Sequence, residues 1–76
     1  FSENNGFSCA DINDSQLKKA IIEKAEKVVM LMDSSKIGIN MPYTYARLSD
    51  VDIIVGDGSL PDSFLEEAYK NNVEVL

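Results

Sequence analysis

Asp33-Ser34-Ser35-Lys36 puts a carboxylate, two hydroxyls and an ammonium in four consecutive positions, directly after an apolar run. That set suits a phosphate or a sugar phosphate. Hydroxyls and backbone amides donate hydrogen bonds, the Lys36 ammonium balances charge, and Asp33 accepts from a sugar hydroxyl. The plain alternative is a polar turn in which Asp33 bonds its own backbone and Lys36 is solvated. A second cationic pair, Lys18-Lys19, falls in the first turn or so of an expected helix, where the macrodipole disfavours cations. A lysine there either joins the helix amides in holding an anion or is solvated on a polar face. Asn5-Gly6 reads first as a turn and second as a close approach of backbone to a ligand.

Other chemistries lack their parts. The chain has no histidine and one cysteine, Cys9, so it has neither an internal disulfide nor a zinc ligand set. Without histidine nothing activates Cys9, which reads as a half-buried small residue after Ser8 and before Asp11. The late carboxylates Asp50, Asp52, Asp57, Asp62, Glu66 and Glu67 do not have metal-loop spacing and read as a solvated face. There is no glycine-rich phosphate loop and no Ser-His-Asp set. The expected catalytic residues, metal ligands and cofactors are therefore none. Phe64 with Tyr69, and Tyr43 with Tyr45, read as core or interface.

The elements that must position these groups follow from periodicity. Leu17, Ala20, Ile21 and Ala25 make one apolar stripe of a helix starting near Asp14, with Asp14 or Asn13 as its cap. Val28 to Met32 is continuously apolar, which predicts a strand covered on both faces in a parallel sheet. Asp33 to Lys36 then lies at its carboxyl end, where open α/β sheets collect ligands. Pro42, with Met41, Tyr45 and Leu48 on one side, predicts a short helix or turn over residues 40–48. Val51 to Val55 is a second strand, closed by Asp57-Gly58. Ser59 and Asp62 resemble a capping box before a helix carrying Phe64, Leu65, Ala68 and Tyr69. Asn71-Asn72 ends that helix in a left-handed conformation, and Val73 to Leu76 is a third strand. The order α-β-α-β-α-β implies right-handed crossovers and helices on the faces of a parallel sheet.

Composition bounds the function. Seven basic against 13 acidic side chains leave a net charge of −6, so this chain is a poor candidate for contact with nucleic acid. The cations lie early: residues 1–36 carry 5 against 6 acidic groups, residues 37–76 carry 2 against 7. The longest uninterrupted apolar run, Val28 to Met32, is far short of the roughly 20 residues of a membrane span. With a single cysteine, a reducing cytoplasmic compartment is the default. The absence of an initiator methionine suggests an excised piece of something longer. About 75 residues bury a marginal core and would leave two open sheet edges, so the chain is expected to dimerise or to be clearly less stable than its parent.

Four stretches, in order, resemble one family: Gly6-Phe7-Ser8-Cys9-Ala10-Asp11; Gln16 to Ile22; Val28 to Lys36; and Leu48 to Asp57. They resemble the effector-sensing domain of DeoR-type transcriptional regulators, the sugar-metabolism repressors. In that family a Gly-x-Thr/Ser-x-x-Asp stretch leads into a Glu-Ala-x-Val-Lys-Arg-Ala-Met-like helix, and a strand ending in Asp-Ser-Ser-Lys-Phe-Gly follows, then an Ile-Thr-Asp-like strand end. Here Asp14, Ser15 and Gln16 stand where Glu-Ala-Glu is common, and Ile37 replaces the phenylalanine.

The resemblance implies that residues 1–76 are about the last half of the sensing domain, the DNA-binding domain lying outside this chain. It implies an α/β fold, three-layer α/β/α with a mainly parallel sheet, shared with ribose-5-phosphate isomerases and coenzyme A transferases. It also implies a phosphorylated sugar as effector, and operator DNA bound only through an amino-terminal winged helix-turn-helix. Oligomers of the family form through the sensing domain. By position, Lys36 and Lys18 become the phosphate or sugar contacts, with Asp33, Ser34, Ser35, Asn5 and Gly6 near them. A fragment of a sugar-phosphate isomerase-like enzyme is the first alternative. Its proton-transfer glutamate would fall on Lys18, an ammonium that cannot act as a carboxylate base without a large pKa shift. The isomerases' glycine run before that helix is replaced by Asp11-Ile12-Asn13-Asp14. A ligand-free oligomerisation domain is the second.

Overall fold

The computed structural model describes residues 1–3 and 5–76. In chain order it contains β1 (Phe7–Cys9), α1 (Ile12–Lys24), β2 (Val29–Leu31), β3 (Tyr43–Ala46), β4 (Ile53–Val55), α2 (Asp62–Lys70) and β5 (Glu74–Val75). Single 3-10 turns at Ser34–Lys36 and Leu48–Asp50 follow β2 and β3.

The expected parallel sheet is present as β2-β4-β5, with Val29 beside Ile53, Leu31 beside Val55 and Ile53 beside Glu74. Its strands are shorter than the apolar runs. A second, antiparallel pair, β1 with β3, was not expected. The helix or turn predicted over residues 40–48 is instead strand β3 followed by a 3-10 turn. The reason is local: Tyr43, Thr44 and Tyr45 are β-branched or aromatic and fit a pleated surface, which outweighs the helical spacing of Met41, Tyr45 and Leu48.

Ile54, on the central strand β4, is fully buried. Around it lie Met32, Val51, Leu60 and Val73, with Phe64 and Ala68 from α2, and Phe7, Ala46 and Leu48 from the ribbon side. Phe1 joins the two groups: its ring centroid is 4.8 Å from Phe7 and 5.1 Å from Phe64, the latter edge-on.

Three helix-end expectations change. Asp11, not Asp14 or Asn13, caps α1, its Oδ1 accepting from the Asn13 amide at 2.8 Å and the Asp14 amide at 3.1 Å. The helix therefore starts earlier, and Lys18 and Lys19 sit in its second turn, beyond the unpaired amides of the first. Ser59 makes no capping box: α2 starts after Pro61 without a side-chain cap, and the Ser59 amide donates to Asp57. The end of α2 is as expected, with Asn72 left-handed at φ 60°.

α1 packs on β1 and β3. It turns inward the face bearing Ser15, whose hydroxyl donates to the Thr44 carbonyl, and Ile22. The predicted stripe is on the other side, with Leu17 60 % and Ile21 59 % exposed. β2 is an edge strand in which Leu31 is 76 % and Val29 52 % exposed, so the covering expected on both faces is absent on one.

Candidate functional site

A cavity of about 380 Å³ lies between the β1-β3 ribbon and the edge strand β2. Its walls are apolar, from Phe1, Phe7, Met30, Leu31, Met32, Ile39 and Met41, and its polar contributors are Ser8, Cys9, Lys18, Lys36 and the Tyr45 ring. Lysines 18 residues apart in sequence thus line one space. Lys18 comes from the second turn of α1, Lys36 from the end of the 3-10 turn at the carboxyl end of β2. A second cavity of about 470 Å³ over Ile21, Ile22, Val28 and Val29 shares Lys18, Met30, Leu31 and Tyr45 with the first.

Lys18 is held from two sides. Its Nζ is 3.2 Å from Asp14 Oδ2, one turn back on α1, and 4.7 Å from the centroid of the Tyr45 ring. The bond to Asp14 raises the Lys18 pKa, against a smaller opposing effect of burial. Burial pushes the Tyr45 hydroxyl up as well. Lys18 therefore stays protonated at neutral pH. Of the two readings of Lys18-Lys19, the helix-end one lacks its geometry, because the first-turn amides are a turn away and Asp11 accepts from two of them.

Lys36 makes no ion pair among the described residues. Its turn is strongly tied. Asp33 Oδ1 accepts from the Ser35 amide at 2.9 Å and from the Ser35 hydroxyl. The Lys36 amide donates to the Asp33 carbonyl at 3.1 Å, and the Lys36 carbonyl accepts from the Phe1 nitrogen at 2.7 Å. The Ser34 amide and hydroxyl both donate to Asp57 Oδ2, at 3.1 and 3.3 Å.

Of the four residues Asp33 to Lys36, only Lys36 lines the cavity. Asp33, Ser34 and Ser35 spend their polar atoms on the turn itself and on Asp57. Asn5 and Gly6 are away from it. The Asn5 side-chain amide donates to Asn40 Oδ1 at 2.9 Å, and Gly6 borders another cleft beside Arg47. Gly6 exchanges backbone hydrogen bonds with Ser2 and has φ 70°. A Cβ there would lie 2.5 Å from the Ala46 carbonyl oxygen, so the close approach is to β3.

Sequence reasoning missed three features. Tyr45 lies over Lys18 because β3 pairs with β1, which the helical reading of residues 40–48 hid. Cys9 lines the cavity, with its thiol 3.5 Å from the Asp11 carbonyl. The late carboxylates are exposed but not merely solvated. Asp52 accepts from the Val28 amide at 2.7 Å, Asp50 from the Arg47 amide at 2.9 Å, and Asp57 from Ser34 and Ser59. The Asp57-Gly58 turn directly after a strand was the available signal, since β2 and β4 are parallel and their carboxyl ends are neighbours.

The DeoR C terminal sensor domain family matches residues 1–58. The HTH-type transcriptional repressor GlcR of Bacillus subtilis is 32% identical over 71 residues, covering 93% of this chain and 28% of that protein. The HTH-type transcriptional regulator GlpR of Haloferax volcanii is 31% identical with the same coverage. The putative aga operon transcriptional repressor of Escherichia coli O157:H7 is 28% identical, covering 93% of this chain and 26% of its own length. The chain thus spans little more than a quarter of the curated relatives it matches. With the expected α/β fold and the family match over residues 1–58, this chain belongs to the DeoR C-terminal sensor domain family.

Proposed function

We propose that residues 1–76 are the C-terminal half of the sugar-phosphate-sensing domain of a cytoplasmic, DeoR-type transcriptional repressor, without catalytic turnover. The observation that carries this reading is Lys18 and Lys36 on one cavity of about 380 Å³. Two ammoniums and apolar walls suit a small anion with a carbon skeleton, the cations meeting the phosphate and Tyr45, Met30 and Met41 the sugar. The Asp14 bond that keeps Lys18 protonated supports binding over proton abstraction, and so sensing over an isomerase. The relatives' names, repressors and HTH-type regulators, support an operator-binding module outside this chain. Effector and operator are coupled because the sugar phosphate binds the two conformational states with different affinity.

The exposed Leu17, Ile21, Val29 and Leu31 support a homo-oligomer rather than a ligand-free oligomerisation domain, since they lie outside the first cavity, Leu31 excepted.

The test is operator release from the intact regulator by triose, pentose and hexose monophosphates, with inorganic phosphate and unphosphorylated sugars as controls at matched ionic strength. Lys36→Ala should raise the concentration needed by about tenfold or more, the scale of a lost charged hydrogen bond, while leaving operator affinity in the absence of sugar unchanged. Induction by the same concentrations in wild type and variant overturns the assignment.

A further inference from the structure

The turn that carries Lys36 is tied to the loop after β4 by one carboxylate, besides the bond from the Phe1 nitrogen to the Lys36 carbonyl. Asp57, two residues past the end of β4, accepts from the Ser34 amide at 3.1 Å and the Ser34 hydroxyl at 3.3 Å through Oδ2, and from the Ser59 amide at 2.9 Å through Oδ1. Its two oxygens therefore bridge the loops following two adjacent parallel strands, whose register ends at Leu31 beside Val55. Nothing within the Asp33 to Lys36 segment replaces this link. Asp33 closes the turn on itself, through Ser35 and the Lys36 amide, and so fixes its shape, but not where the turn sits relative to β4. Asp57 does not line the cavity that Lys36 enters.

We infer that Asp57 is a positioning residue for Lys36: it ties the Ser34–Lys36 turn to the end of β4 and so sets where the Lys36 ammonium meets its ligand. This rests on the proposed meeting of Lys36 with an anion. A charged lysine on a flexible stem loses specificity when its root moves, because the same charge then reaches the anion only by ordering a longer arc of chain. Asp57 acts through that root and makes no contact of its own with the ligand.

The experiment is a double-mutant cycle in the intact regulator, using as probe whichever sugar monophosphate of the panel releases operator at the lowest concentration. Asp57→Ala should raise the half-release concentration about fivefold in the wild-type background and less than about twofold in the Lys36→Ala background, because the turn no longer matters once the ammonium is gone. Hydrogen exchange of the peptide covering residues 33–36 should accelerate without ligand, with at most a small fall in melting temperature. Ser34→Ala, which removes only the hydroxyl donor, should shift both readouts in the same direction by less, and serves if Asp57→Ala does not fold. An equal Asp57→Ala effect in both backgrounds, no effect in the wild-type background, or unchanged exchange of residues 33–36 overturns the inference. If Lys36→Ala keeps its effect in those cases, the sensing assignment stands and only the anchor falls. If Lys36→Ala is silent, or no monophosphate releases operator, both fall.

Discussion

The Lys18 ammonium lies 3.2 Å from the Asp14 carboxylate, one turn apart on α1. Both side chains are well exposed, so the pair is screened and is worth about 0.3–0.5 kcal/mol of stability. Its larger consequence is electrostatic, since the bond raises the Lys18 pKa above its ordinary 10.5. A folded-state pKa raised in this way adds stability that is complete below the unfolded value and disappears as pH rises through the folded one. The contribution is thus constant across neutral pH and is lost in strong alkali. Asp14→Asn should lower the Lys18 titration midpoint in an NMR pH series of the Lys18 side chain. A midpoint that does not move would mean the ion pair is not made in solution.

Asp57 gives the opposite sign. Three donors, with the Ser34 amide foremost, hold its carboxyl below the ordinary 3.8. The link to Ser34 is therefore complete above that value and fails as pH falls through the lower, folded one. Followed by amide NMR, the Ser34 and Ser59 resonances should titrate together with a midpoint below 3.8, and Asp57→Asn should abolish that titration. Two separate midpoints would show that one carboxylate does not serve both loops.

Some of this was legible in the sequence and some was not, for reasons that can be traced. The runs Val28 to Met32 and Ile53 to Val55 announce parallel strands because their side chains are apolar without alternation, and that signal depends on few competing factors. Asn71-Asn72 announces the end of α2 because left-handed backbone is a property of the residue type. Tyr43 to Ala46 failed because its pairing partner, Phe7–Cys9, lies more than 30 residues earlier, and no local period encodes that meeting. Leu17 and Ile21 form an apolar stripe that stays exposed, so periodicity found the helix and misjudged which face packs. At the site, the two lysines were legible as charges. What was hidden was that Asp33 and Ser35 bond to each other within the turn, that Ser34 donates to Asp57, and that Tyr45 lies above Lys18.

Gly6 tests the meeting of β1 and β3. Its φ is 70°, and any Cβ would fall 2.5 Å from a backbone oxygen and 3.2 Å from Arg47 Cα, neither of which is a flexible side-chain end. Gly6→Ala should cost about 2 kcal/mol or more, combining left-handed strain with the displaced strand. Chemical denaturation measures it. A loss below about 0.5 kcal/mol would mean that β3 shifts freely away from the glycine.

Ile54 tests the core that carries both strand-end loops. It is the only fully buried large side chain among the described residues, on the central strand between β2 and β5, with Phe64 and Ala68 of α2 among the buried residues of the same core. Truncation to alanine removes the transfer energy of three carbons and leaves a cavity that short, paired strands collapse onto only partly. The expected cost is about 2–5 kcal/mol. Against the 5–15 kcal/mol that holds a typical domain together, that is about the margin for so small a core. Because Met32 leads into the Lys36 turn and Val55 into the Asp57 turn, loosening β4 should also release the Ser34 link before the chain unfolds. Hydrogen exchange of Ile54→Ala should then show residues 33–36 losing protection at lower denaturant than α2. Simultaneous loss would instead mean that the loops and the core are one cooperative unit, with no separate release of the lysine turn.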